Sequence, residues 1–169
     1  IDVVYHSHLF EHIDRKNVKN FLSEVKRVLK PDGIQRIVVP DFHFLCSEYL
    51  KNFKLCEDSP NNKFEHDNYI SNIIEQCVRK ESSGTSKQNK ISQKIENFLI
   101  GDARKRGETH QWMYDKINIK LILEESGFRD VKEKSFLKSD IKDWNKYGLD
   151  TDSFKNEYKK GSIYIESRK

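Results

Sequence analysis

Three of the six histidines, His6, His8 and His12, fall together with Glu11 inside the opening stretch IDVVYHSHLFEHI. Two histidines spaced two apart share one face of a strand, and such a pair followed by an acid and a further histidine is a grouping that binds zinc. The competing reading is that IDVVY forms a buried strand whose end gathers polar side chains as the chain turns toward a helix. A second group, HQWMYD, sets His110 beside Trp112, Met113 and Tyr114. Its aromatic side chains suit either core packing, the commoner fate of such residues, or the wall of a binding site.

The elements around these groups decide between the readings. IDVVYH is a β-branched run suited to a buried parallel strand. DRKNVKNFLSEVKRVLKPDG sets Val18, Phe21, Leu22, Val25 and Leu29 at helical spacing with charges on the other face, and Pro31, Asp32 and Gly33 stop that helix. IQRIVVP reads as a second buried strand, so strand, helix and strand form a right-handed parallel crossover. Asp41 suits an N-cap for FHFLCSEYLKNF. Further helical stretches are expected around residues 69–78 and 91–100, and the span 42–109 reads as a helical insertion or lid beside a strand's carboxyl end. A helix through Ile117, Leu121 and Ile122 starts after Asp115 and closes at Gly127. RDVKEKSF and SIYIESRK alternate like strands, and the polar loop between them is too long for a tight hairpin. The expected class is α/β, with residues 1–169 as one domain.

Composition narrows the function. The 169 residues are 36% hydrophobic and 34% charged, and no apolar run approaches a membrane span. Cys46, Cys56 and Cys77 are odd in number and lack C-x-x-C spacing, which argues against a disulfide framework and a cysteine zinc site. With no leader pattern at the start, a reducing, cytoplasmic setting is expected. The net charge of +4 is spread without long single-sign blocks, so nucleic-acid binding gains no support. The basic group DARKRG, with Arg104, Lys105 and Arg106, reads as a solvated loop or an anion-facing patch. The chain begins at Ile1 in mid-strand, which suggests a fragment or a truncated homologue.

DVVYHSHLFEHI, then FLSEVKRVLKPDGIQRIVVPDF, then HQWMYD and ILEESGFRDV resemble, in order and spacing, the second half of class I S-adenosylmethionine-dependent methyltransferases. The likeness is greatest to a bacterial type 11-like group found with cell-surface glycan and lipid biosynthesis enzymes. It implies a Rossmann-like sheet in which the strand at Ile1 to Tyr5 is the fourth, that at Ile34 to Val39 the fifth, and the last two the sixth and the antiparallel seventh. The last strand is expected to insert between those near Ile37 and Val131. The family's glycine-rich cofactor loop and ribose-binding acid have no counterpart here, so the expected sheet is incomplete and the isolated chain is expected to bind cofactor weakly and to self-associate through an exposed edge. Asp32 stands where the family usually has glycine.

The resemblance implies S-adenosylmethionine as cofactor, methyl transfer as the reaction, and a small-molecule or glycan- or lipid-linked acceptor. In an open parallel sheet ligands bind outside the strands' carboxyl ends, which places Ser7, His8 and Leu9 beside the cofactor's methionine part. His8 and His110 are the candidate catalytic bases, since imidazole titrates near neutral pH, and Asp41, Trp112 and Tyr114 are candidate substrate-binding residues. His12 is expected to be a hydrogen-bonded structural residue. No metal is expected. H-x-H-x-x-E-H approaches the H-x-H-x-D-H of metallo-β-lactamase-like hydrolases, but its spacing is one residue longer and its acid differs. Two further readings, a non-catalytic interaction module and a zinc hydrolase, stand as alternatives to the enzyme.

Overall fold

A computed structural model describes residues 1–58, 63–76 and 110–169. Its frame is a four-stranded sheet of β1 (Val3–Ser7), β2 (Ile34–Pro40), β3 (Arg129–Lys134) and β4 (Ser162–Arg168) in the order β1-β2-β4-β3. β1 pairs in parallel with β2, from Val3 opposite Ile34 to Ser7 opposite Val38. β4 lies antiparallel between β2 and β3, in the place expected for it.

β2 is covered on both faces, and side-chain alternation sorts its neighbours. On one face Ile37, Val39, Ile163 and Ile165 meet α1 (Val18–Val28) and α4 (Lys116–Glu125), which contribute Val18, Leu22, Val25, Ile119 and Leu123 to the main core. The predicted crossover helix is shorter than its sequence pattern, because two 3₁₀ turns, Phe10–His12 and Arg15–Asn17, precede α1. Asp115 caps α4 by accepting from the backbone N–H groups of Ile117 and Asn118, while the Asn118 side chain accepts from the Asp115 N–H. Gly127, at φ 80°, ends that helix in the left-handed conformation that glycine adopts without strain.

The other face is covered by the loop between β3 and β4, which carries the single turn α5 (Trp144–Tyr147). Trp144 and Ile141 pack there on Ile34. Arg36, on the same face of β2, is fully buried. It donates to Asp150 at 2.7 and 2.9 Å, to Glu166 at 2.6 Å, and to the carbonyls of Ser135 and Lys138. Asp150 also accepts from the Tyr5 hydroxyl, and Glu166 from Ser139 and the Asp140 N–H. Every charge in this group is answered, and together they fasten the long loop to the sheet.

After β2 the chain enters α2 (Phe42–Asp58) and α3 (Lys63–Gln76), which pack against each other through contacts such as Tyr49 on His66. Asp41 caps α2, accepting from the His43 N–H at 3.0 Å as its position predicts. The expected helix at 91–100, Cys77 and the DARKRG group lie outside the described residues. Among the described residues no helix is long and apolar enough to cross a membrane.

Candidate functional site

The carboxyl ends of β1 and β2 and the start of β4 border a cleft of about 440 Å³, lined by His8, Glu11, His12, His110, Lys160 and Ser162 among others. Its floor is built where β1 stops. His8 donates its N–H to the Val38 carbonyl at 2.8 Å and adopts a left-handed φ of 49°, uncommon for a residue with a side chain. That turn leads into the 3₁₀ turn Phe10–His12 and sets Glu11 under the cleft. The Glu11 carbonyl accepts from the N–H groups of Gln111 and Trp112, at 2.7 and 3.2 Å. This pair of backbone bonds brings His110, distant in sequence, to the exit of β1.

Two imidazoles meet at one carboxylate. His8 Nδ1 lies 3.3 Å from Glu11 Oε1, and His12 Nε2 lies 3.9 Å from the same oxygen. On its other side the His8 ring reaches Ser162, Nε2 to Oγ, at 3.2 Å, while the Ser162 hydroxyl donates to the Lys159 carbonyl. The rings of His12 and His110 meet edge to face with centroids 4.7 Å apart. Glu11 is only 1% exposed, yet among the described residues neither of its carboxylate oxygens receives a hydrogen bond. A buried carboxylate without hydrogen bonds is costly.

The sequence candidates separate in space. His6 and His8 do not converge: His6 stays in the strand, pairs with Gln35 at 3.1 Å and packs against Phe10 and Phe21, whereas His8 has left the strand. Burial lowers the His6 imidazole to about 4, which keeps it neutral. Ser7 and Leu9 flank the His8 turn. Asp41 sits behind the cleft at the start of α2, bridged to Tyr114, and burial raises its carboxyl above the usual range against the pull of hydrogen bonds from His43 and Phe44. Trp112 lies at the surface with the Arg15 guanidinium 3.9 Å above its ring. Tyr114 is in the main core against Phe10, its hydroxyl without a hydrogen-bond partner among the described residues, and burial pushes that hydroxyl up to about 12.

Ser162, Lys159 and Lys160 also line the cleft and were not foreseen, since nothing in a strand start or a polar loop marks them as site residues. A groove of about 460 Å³ near Trp144, Asp150 and Lys155 lies on the loop-covered face. Its buried carboxylate, Asp150, is already held by Arg36 and Tyr5.

A family model described as a methyltransferase domain matches residues 1–37. No curated protein matches the chain. A crystal structure of a SAM dependent methyltransferase from Archaeoglobus fulgidus is similar at 16% identity and a TM-score of 0.43, over 100% of this chain and 59% of that one. This chain therefore spans less than two thirds of that protein's length. The resemblance to class I S-adenosylmethionine-dependent methyltransferases, a family whose cofactor is S-adenosylmethionine, is borne out over residues 1–37, the stretch that supplies β1, the α1 crossover and the first half of β2.

Proposed function

We propose that this chain takes part in methyl transfer from S-adenosylmethionine to an oxygen nucleophile on a small-molecule or glycan- or lipid-linked acceptor, in the cleft at the carboxyl ends of β1 and β2. The observation that carries the reading is a coincidence of place. The segment matched by the methyltransferase-domain model ends its first strand at the cleft that gathers the acid–base side chains.

The donor set suits one end of the cofactor. Lys159 and Lys160 offer cations to a carboxylate, and His8, flanked by Ser7 and Leu9 in the turn after β1, offers a polar side chain to a methionine chain. When bound, S-adenosylmethionine supplies an electrophilic methyl group on its sulfonium sulfur. His8 is the residue placed to move a proton: its ring stands between the Glu11 carboxylate, 3.3 Å from Nδ1, and the Ser162 hydroxyl, 3.2 Å from Nε2, and Nε2 takes the proton of an acceptor hydroxyl that displaces Ser162 from it. Ser162 holds the ring from the other side. His110 closes the cleft wall beside His12. Asp41, at the start of α2, and Trp112, at the surface beside His110, are the residues proposed to meet the acceptor, Tyr114 supports them from the core, and Leu45 of α2 lies on the cleft. Positioning carries much of such a reaction, since the acceptor must lie in line with the methyl.

Because the cleft answers the methionine end alone, the 169 residues by themselves are expected to bind S-adenosylmethionine more weakly than micromolar. Calorimetry against the cofactor, paired with a labelled-methyl transfer assay, tests the proposal. His8→Gln should leave cofactor binding within about twofold and lower transfer by about 10²-fold or more. Transfer unaffected by His8→Gln would remove His8 from the chemistry, and no saturable binding at millimolar cofactor would remove the cleft from the function.

One observation favours a second reading, a methyltransferase-like interaction module. Among the described residues β1 is hydrogen-bonded to a strand on one side only, and such an edge invites pairing. Concentration-dependent association that persists when His8→Gln abolishes transfer would support this role beside the enzymatic one. A monomer at all concentrations would dismiss it.

A further inference from the structure

Among the described residues Glu11 is a buried cleft carboxylate with no hydrogen bond to either oxygen, and its neighbours suggest a ligand for it. Ligand atoms of Glu11, His12 and His110 all lie within 4.8 Å of one another. His12 Nδ1 is buried and has no hydrogen-bond partner among the described residues either. Two imidazoles and one carboxylate, with a further position left open, form the donor set of catalytic zinc sites, and such N and O donors suit divalent transition metals generally.

The three residues are also held in place before any ion arrives. Glu11 and His12 are adjacent on one 3₁₀ turn, and His110 is tied to that turn through the bonds from Gln111 and Trp112 to the Glu11 carbonyl. Short metal–ligand bonds of about 2.0–2.2 Å require the donor atoms to close in from their present spacing, which side-chain rotation supplies. Lys159 and Lys160 on the same cleft oppose a cation by charge, but both are exposed and free to extend toward solvent.

We propose that Glu11, His12 and His110 form a binding site for one divalent transition-metal ion, zinc by donor type, opening into the cleft. This set is distinct from the His6, His8 and His12 grouping of the opening sequence, because His6 is committed to the core. It shares Glu11 and His110 with the methyl-transfer cleft, but it does not depend on that reading, because its test needs no turnover.

The test strips the intact protein with a chelator and titrates it with Zn²⁺ against a chromophoric competitor, then repeats the titration with Co²⁺ to read its visible absorption. One Zn²⁺ per chain is expected. Glu11→Gln and His110→Asn should each weaken binding at least tenfold and remove the Co²⁺ band while far-UV circular dichroism stays unchanged. His43→Gln, at an exposed histidine on α2, should bind as the parent does. Absence of binding by the parent, or equal binding by Glu11→Gln and His110→Asn, overturns the proposal. If Glu11→Gln weakens S-adenosylmethionine binding while the parent takes up no zinc, the carboxylate serves the cofactor's ammonium group and the metal site is refuted.

Discussion

Arg36 and Glu11 are both buried charges near the sheet, and their surroundings could hardly differ more. Arg36 meets two carboxylates and two carbonyls, and those carboxylates are answered in turn by Tyr5, Ser139 and the Asp140 N–H. Glu11 has two histidines within ion-pair reach and, among the described residues, no hydrogen bond to either oxygen. Buried polar groups in folded proteins are nearly always satisfied. A saturated network therefore belongs to the architecture, and a carboxylate left open at a cleft belongs to whatever enters that cleft. Mutations should separate the two regions, the first through stability and the second through chemistry.

The largest effect is expected at Arg36. Arg36→Met leaves Asp150 and Glu166 buried without their cation, and breaking a buried pair in this way costs about 3–5 kcal/mol. Urea unfolding measures it. A loss below about 1 kcal/mol would mean that the loop carrying Asp150 is held by Trp144 and Ile141 instead.

Next comes His6, which is held neutral by burial with its imidazole lowered to about 4 from 6.5. The unfolded chain takes up a proton near pH 6.5 that the folded chain refuses until about pH 4, so stability is full above pH 6.5 and falls as pH drops through that window. The loss from this residue alone is about 3 kcal/mol. Comparing urea midpoints of the parent and His6→Gln from pH 7 to pH 4 isolates it, and parallel curves would refute it.

Glu11→Gln should change stability by under about 1 kcal/mol, because it removes a carboxylate that His8 and His12 approach without a hydrogen bond to it, while lowering methyl transfer about tenfold or more through the loosened His8 ring. A loss of stability comparable to that of Arg36→Met would erase the distinction between the two regions.

The smallest effect is expected at Asp32, which holds φ at 63° in the turn after α1 and pairs with exposed Arg129. Asp32→Gly relieves the backbone, gives up a surface pair and loosens the unfolded chain, so the net change in a thermal melt should stay within about 0.5 kcal/mol.

Much of this arrangement is legible in the sequence because it is local. Asp115 and Gly127 bound α4 through capping chemistry that needs no tertiary partner. The pattern of Val18, Leu22 and Val25 marks the buried face of α1, although the 3₁₀ turns before it are hidden because Asp14 and Asn17 both signal a helix start. The place of β4 between β2 and β3 follows from the family likeness, since alternation in SIYIESRK says nothing about its neighbours. The cleft is less legible. His8 and His110 stand out by type, but the contact between the His110 segment and Glu11 rests on backbone bonds that carry no side-chain signature. Arg36 is hidden for the opposite reason: in IQRIVVP it looks like an interruption of a buried strand, and its partners come from a loop without periodicity.

The most direct test of the account is where S-adenosylmethionine touches this chain. In amide NMR spectra of the ¹⁵N-labelled protein titrated with the cofactor, the largest shifts are predicted at Ser7, His8, Leu9, Gly161 and Ser162, with the amides of Trp144 and Asp150 nearly still. Saturating shifts centred on the groove at Trp144 and Asp150, or none in either region at millimolar cofactor, would contradict it.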